Sequence, residues 1–173
     1  ISKHTALYLS SIFMEKKQIL ITYNSYTDVT QLDQEDQLLV AKANEILEQA
    51  YAAYSGFHVG AALLLETGEI ITGNNQENIA YPSSLCAERV ALYYCMAQNP
   101  NAIVKKIAIM ARSEKGELLE VISPCGACRQ VMSEYERNQS QSMKVILKGE
   151  GKTMITFDSV ADLLPLSFDT KVL

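Results

Sequence analysis

Two short cysteine-bearing segments constrain this chain more than any other feature: Ser83-Ser-Leu-Cys86-Ala-Glu88-Arg89 and Ser123-Pro-Cys125-Gly-Ala-Cys128-Arg-Gln130. Whatever fold the chain adopts must bring them together, because Cys86, Cys125 and Cys128 form a set of soft thiolate ligands suited to zinc. A structural zinc site normally closes with a fourth protein ligand, whereas three ligands leave a position for water. Cys95 is a poor fourth. It follows Cys86 within one helix-like run, and at about 1.5 Å per residue lies roughly 13 Å further along the axis. His4 and His58 are the remaining formal alternatives for a closed site, one in a polar tail and the other in a strand-like run.

Glu88 favours the open site, since a carboxylate beside a metal cysteine can handle protons without being a ligand. On an ideal helix Cys86 and Glu88 are about 200° apart, so they share no side face. Both can reach a site lying over the helix N-terminus, where unpaired N–H groups and the positive dipole end favour thiolates. Ser123 followed by Pro124 reads as a second helix start, a cap residue and then proline in the first turn, placing Cys125 and Cys128 on one face. Two helix starts are therefore expected to converge on one metal.

Cys-Ala-Glu about forty residues before Pro-Cys-Gly-Ala-Cys-Arg-Gln resembles the zinc-dependent cytidine deaminases, a class with a signature of this type. The resemblance runs from about Ala50 to Phe168 and includes Tyr54-Ser-Gly-Phe57-His-Val-Gly-Ala-Ala62 and Asn75-Gln-Glu77-Asn78. The three-cysteine form is similar to the free-nucleoside branch of the family. It implies hydrolytic deamination of cytidine and deoxycytidine to uridine and deoxyuridine, with one Zn²⁺ per chain, a zinc-bound hydroxide as nucleophile and Glu88 as proton shuttle. It also implies a three-layer α/β/α sandwich around a mixed five-stranded sheet, and assembly as a homotetramer, with a dimer as the smaller alternative.

Carried over residue by residue, the resemblance makes Asn75 and Glu77 the holders of the ribose hydroxyls and Phe57 the platform for the pyrimidine. Tyr81 and Ala87 are further substrate contacts, and Phe168 an aromatic that enters a neighbouring subunit's pocket. Read without the resemblance, Asn75 and Glu77 are polar turn residues, Phe57 and Tyr81 core aromatics, and Phe168 an anchor for the chain end. Arg89 is expected to offset the negative charge of the thiolates, or else to form a surface or interface ion pair, and Arg129 has no assignment. Asn74, where many relatives have cysteine, and Ala53, where many have proline, are departures that should leave the chemistry undisturbed.

The remaining sequence is consistent with one catalytic domain. Its 173 residues are 48% hydrophobic and 20% charged, ordinary for a globular domain. With a net charge of −5 and no basic run longer than a pair, the chain has no electrostatic footprint for a phosphate backbone, so a nucleic-acid substrate is disfavoured. Nor is any stretch long enough to span a membrane. Free thiolates require a reducing compartment, which points to the cytoplasm. Cys95 reads as a small buried hydrophobe.

Residues 1–33 are read as an N-terminal extension and 34–173 as the catalytic domain. Met14 is an alternative start, and Gln18 to Tyr26 alternates like an edge strand or intersubunit arm. A helix capped by Asp33 or Asp36 is expected from Gln34 to near Gly56, then a hairpin over Val59–Leu65 and Ile70–Gly73. A helix from Cys86 to Gln98, apolar nearly all round, and strands at Ile103–Ala111, Met143–Leu147 and Met154–Phe157 complete the pattern. Two alternatives remain: a deaminase of an aminopyrimidine nucleoside antibiotic, which would keep the metal residues and Glu88, and a zinc-bound interaction module, which would have no need of Glu88.

Overall fold

The computed structural model describes residues 14–116 and 120–168. His4 and the apolar stretch before Met14 lie outside the described residues. Strands β1 (Asn24–Tyr26), β2 (Phe57–Leu65), β3 (Ile70–Asn74), β4 (Val104–Ser113), β5 (Lys144–Lys148) and β6 (Met154–Phe157) form one sheet in the order β1-β6-β5-β4-β2-β3. Only β4 and β5 run parallel. Helix α1 (Gln34–Leu47) covers one face, and α2 (Ala87–Gln98) and α3 (Gly126–Asn138) cover the other.

The period-2 alternation of each strand divides the core between the faces. Ala61, Leu63, Ile107, Ile109, Val145 and Leu147 pack with Ala91, Leu92 and Met132 beneath α2 and α3. Ala62, Leu64, Ala108, Met110 and Ile146 pack with Leu39, Val40, Ala43 and Leu47 of α1. Central strands β2 and β4 are buried on both sides, which is why they read as continuous apolar runs. Cys95, only 2% exposed, belongs to the α2 and α3 side of this core.

Three expectations need correction. The sheet has six strands rather than five, because Asn24, Ser25 and Tyr26 pair with Thr156, Ile155 and Met154 at its edge. Residues 18–23 are not strand: the pairing with β6 stops at Asn24 opposite Thr156, and only the Tyr23 ring continues it, 5.7 Å from that of Phe157.

Helix α1 is capped by Asp33, whose carboxylate accepts from the Asp36 N–H at 2.8 Å, but it ends at Leu47 rather than near Gly56. Beyond it the Tyr51 main chain is drawn into bonds with Asn75 and Glu77, so helical pairing cannot continue. Buried Asp36 accepts from Lys106 (2.7 Å) and from Lys144, so the acidic stretch serves helix start and ion pairing.

Candidate active site

The third correction concerns the start of α3, where Cys125 rather than Ser123 is the N-cap. Cys86 holds the same position on α2, and both caps have extended backbone (φ −73°, ψ 153° and φ −66°, ψ 166°). Neither cap makes a side-chain hydrogen bond to its helix. Each thiol is therefore left to turn over the helix end, where the first-turn N–H groups lack intrahelical acceptors and the dipole is positive. Cys128, one turn into α3, is buried directly behind them.

The three Sγ atoms lie within 4.8 Å of one another, with Cys86 and Cys125 3.9 Å apart. Among the described residues no further Cys, His, Asp or Glu completes this group. His58 is occupied elsewhere, its Nε2 lying 2.8 Å from Glu114. A cluster of soft donors at two positive helix ends suits zinc and leaves a coordination position open.

Charge at the cluster is shared unequally. The Cys128 thiol, then Arg89, hydrogen-bond to Cys86 and outweigh its burial, pulling its pKa down to about 5. The same bond and burial push Cys128 up. Arg89 Nη2 donates to Cys86 Sγ at 3.5 Å, and its own pKa rises in consequence. Without metal the thiolate is thus favoured at Cys86 over Cys128, and a cation would be needed for Cys128 to ionise as well.

Glu88, 3% exposed on the first turn of α2, has its pKa raised chiefly by burial. Its Oε2 is buried with no hydrogen-bond partner. Such a group is expensive unless something outside the protein satisfies it, and a raised carboxyl pKa suits proton transfer near neutral pH.

Above Glu88 and Cys86 opens a cavity of about 390 Å³ whose walls include Phe57, Asn75, Glu77, Tyr81 and Arg89. Asn75 is clamped to β2, its Oδ1 accepting from Val59 N–H (2.7 Å) and its Nδ2 donating to the Phe57 carbonyl (2.9 Å). Glu77 Oε2 accepts from the N–H groups of Tyr54 (2.8 Å) and Ser55 (3.2 Å). The Ser55 hydroxyl and the Tyr54 N–H hold its carboxyl below the usual range, so it stays an acceptor. Tyr81, 73% exposed, stands at the rim edge-on to Tyr54, with ring centroids 6.4 Å apart.

Two further sequence-predicted contacts do not line this cavity with their side chains. The Ala87 side chain is buried in the core beneath α2, so only its main chain could face a ligand. Phe168 is 67% exposed and is not part of its own chain's cavity; its carbonyl accepts from Gln130 (3.1 Å) and Arg137 (2.8 Å).

Sequence reasoning missed the cavity's apolar floor, Val59, Ile109 and Ile122, since these read as ordinary core positions. It also left Arg129 without a role. Arg129 Nε donates to the Pro124 carbonyl at 2.8 Å and Nη1 to the Leu163 carbonyl at 3.2 Å, holding the approach to Cys125 against the C-terminal segment.

Comparison with known proteins agrees with this geometry. Residues 33–143 match the family described as the cytidine and deoxycytidylate deaminase zinc-binding region. A cytidine deaminase of Sporosarcina psychrophila is 41% identical over 130 residues, covering 75% of this chain and 88% of that one. The crystal structure of cytidine deaminase from Burkholderia pseudomallei superposes with a TM-score of 0.65 at 38% identity, covering 76% of this chain and 97% of that one. A blasticidin-S deaminase of Bacillus cereus is 29% identical over 139 residues, covering 79% and 94%.

Proposed function

Because this chain belongs to the cytidine and deoxycytidylate deaminase zinc-binding family, we propose that it hydrolyses cytidine and deoxycytidine to uridine and deoxyuridine with release of ammonia. The observation that carries this reading is the buried, unpartnered oxygen of Glu88 beside the three-thiol cluster, in a cavity that also holds Asn75 and Glu77.

Cys86, Cys125 and Cys128 would hold one zinc ion, which when bound would supply Lewis acidity that lowers the pKa of a water toward neutrality. Glu88 takes a proton from that water and delivers it to N3 of the pyrimidine as the water oxygen bonds to C4. The remaining proton of the added hydroxyl then passes through Glu88 to the amine, the C4–N bond breaks with its electron pair leaving on nitrogen, and ammonia departs. Glu88 ends as it began. Arg89, through its bond to Cys86 Sγ, would offset part of the negative charge that the thiolates bring to a bound zinc.

Phe57 stacks on the pyrimidine, while Asn75 and Glu77 hold the sugar hydroxyls. Both polar residues are fixed beforehand by backbone bonds, so little side-chain entropy is lost on binding. The Ala87 main chain, at the first helical position where N–H groups lack intrahelical acceptors, and Tyr81 at the rim complete the contacts. Residues 34–173 form the catalytic domain, and the extension before it adds β1 to the sheet edge.

Phe168, exposed on its own chain, enters the cavity of a neighbour in a homotetramer, and exposed Tyr93 and Tyr94 of α2 belong to the subunit contacts. Among the described residues no helix is long and apolar enough to cross a membrane, and the free thiols suit the cytoplasm.

The test is ammonia release from cytidine by the purified, zinc-loaded protein, with Glu88→Gln alongside. Parent turnover, and loss of about 10²- to 10⁴-fold in a variant that keeps its zinc, is the expected result. Substantial activity in Glu88→Gln would overturn the proton-shuttle role. An inactive parent that deaminates blasticidin S would establish the second reading, which the similarity to the Bacillus cereus enzyme supports.

A further inference from the structure

Between the sugar side of the cavity and the end of α1 lies a short chain of polar contacts that the reaction itself does not use. Asn74, at the end of β3, is 9% exposed although polar. Its Nδ2 donates to the Ile46 carbonyl at 3.1 Å, and its Oδ1 accepts from Gln76 Nε2 at 2.6 Å. Ile46 lies in the last turn of α1, and its carbonyl also accepts from the Gln49 N–H at 3.1 Å. The Gln76 side chain is thereby linked, through Asn74, to the end of a helix buried against the sheet.

The main chain around Gln76 is just as fully engaged. Tyr51 N–H donates to the Asn75 carbonyl (3.0 Å) and Glu77 N–H to the Tyr51 carbonyl (2.8 Å). On the other side Gln76 and Leu85 exchange both main-chain bonds, at 2.9 and 3.0 Å, and Leu85 immediately precedes Cys86. Asn74 and Gln76 thus alternate with Asn75 and Glu77 along one extended segment. Asn75, Gln76 and Glu77 all border the cavity; Asn75 and Glu77 are held by β2 and the 54–55 turn, while Asn74 and the end of the Gln76 side chain tie the segment to α1.

We infer that Asn74 and Gln76 are a positioning pair that sets where Asn75 and Glu77 meet the sugar, so that losing this tie weakens nucleoside binding while leaving the chemical step intact. The inference rests on the proposed nucleoside reading. It follows from the separation of supports: Cys86 and Glu88 stand at the start of α2, which packs on the sheet through Ala87, Ala91, Leu92 and Cys95, whereas the Asn74 side chain bonds to Ile46 of α1 and to Gln76. An interaction made equally in ground and transition states appears in KM and not in kcat.

The experiment compares parent, Gln76→Ala, Asn74→Ala and the double variant in two readouts, cytidine kinetics and calorimetric binding of uridine. One buried hydrogen bond corresponds to a rise of roughly five- to tenfold in KM and in the uridine Kd, with kcat changed by less than about twofold. The double variant should be no worse than the poorer single one, as for residues acting through one contact. Gln76 borders the cavity and Asn74 does not, so the Asn74 variants separate positioning from direct contact, with Asn74→Ser as the milder replacement should Asn74→Ala fail to fold; a loss confined to Gln76→Ala would overturn the inference.

Parent values of KM and uridine Kd in Gln76→Ala would overturn the inference. So would losses that multiply in the double variant, or a fall in kcat with KM unchanged. A parent that neither deaminates cytidine nor binds uridine would instead refute the nucleoside reading, and the positioning role with it.

Discussion

On one side of the cavity Cys86, Cys125 and Cys128 sit at the ends of two helices; on the other, Asn75 and Glu77 stand on an irregular segment placed by main-chain bonds to Tyr51 and Leu85. The metal side therefore inherits its geometry from secondary structure. Once α2 and α3 pack on the same sheet face, their N-termini and the thiols on them have little freedom left. The sugar side is assembled from segments distant in sequence, each contributing a bond or two. Damage to the first should abolish the site, whereas damage to the second should grade its affinity.

The largest effect expected from this contrast is at Cys128. Cys128→Ala removes a buried ligand from the middle of the cluster. Residues that merely support a ligand cost about 10- to 100-fold in metal affinity when lost, and a ligand itself should cost more. Zinc measured against protein after dialysis is expected to fall from one per chain toward zero, with turnover falling alongside it. An unchanged zinc content would show that the cluster is not the metal site.

A smaller effect is expected on the opposite wall. Glu77→Gln replaces a carboxylate that two backbone N–H groups and Ser55 hold ionised. Charged hydrogen bonds are worth about 1.5–3 kcal/mol, so KM for cytidine should rise roughly ten- to a hundredfold. Zinc content should stay at the parent level. Metal loss in this variant would break the division between the two walls.

That division also explains how much of the protein was legible in its sequence. Spacing alone indicated that Cys86, Cys125 and Cys128 would meet at helix starts, because a helix has one geometry and its N-terminus one electrostatic character. The doubly covered strands were legible for a similar reason, their apolar runs leaving few other ways to be buried. The end of α1 at Leu47, the N-cap at Cys125 and the role of Asn74 were not. Two depend on partners far along the chain, Tyr51 with Asn75 and Glu77, and Ile46 with Asn74; near the third, the Pro124 carbonyl is taken by the Arg129 side chain five residues on. Asn74, expected to be a neutral departure, bonds to Ile46 and Gln76. The edge strand was legible as the alternation of Gln18 to Tyr26, but its short span and its place in the sheet were not, since Asn24–Tyr26 pairs with a strand more than a hundred residues away.

The smallest predicted changes are single methyl groups, and they sharpen the comparison because each moves one wall's support. A Cβ added at Gly73 would lie 2.6 Å from the Ala91 nitrogen of α2, and one at Gly60 would lie 2.0 Å from the Ala43 carbonyl of α1. Neither backbone can be approached so closely, so each helix must shift. Overpacking of this kind costs roughly 1–3 kcal/mol, measurable by urea denaturation. The catalytic consequences should nevertheless differ. Helix α2 carries Glu88 and is capped by Cys86, so Gly73→Ala should lower kcat. Helix α1 carries the Ile46 carbonyl that anchors Asn74, so Gly60→Ala should raise KM and spare kcat. Equal losses of kcat in both variants would mean that the sheet transmits either helix shift to the whole cavity, and the two walls would then be one mechanical unit.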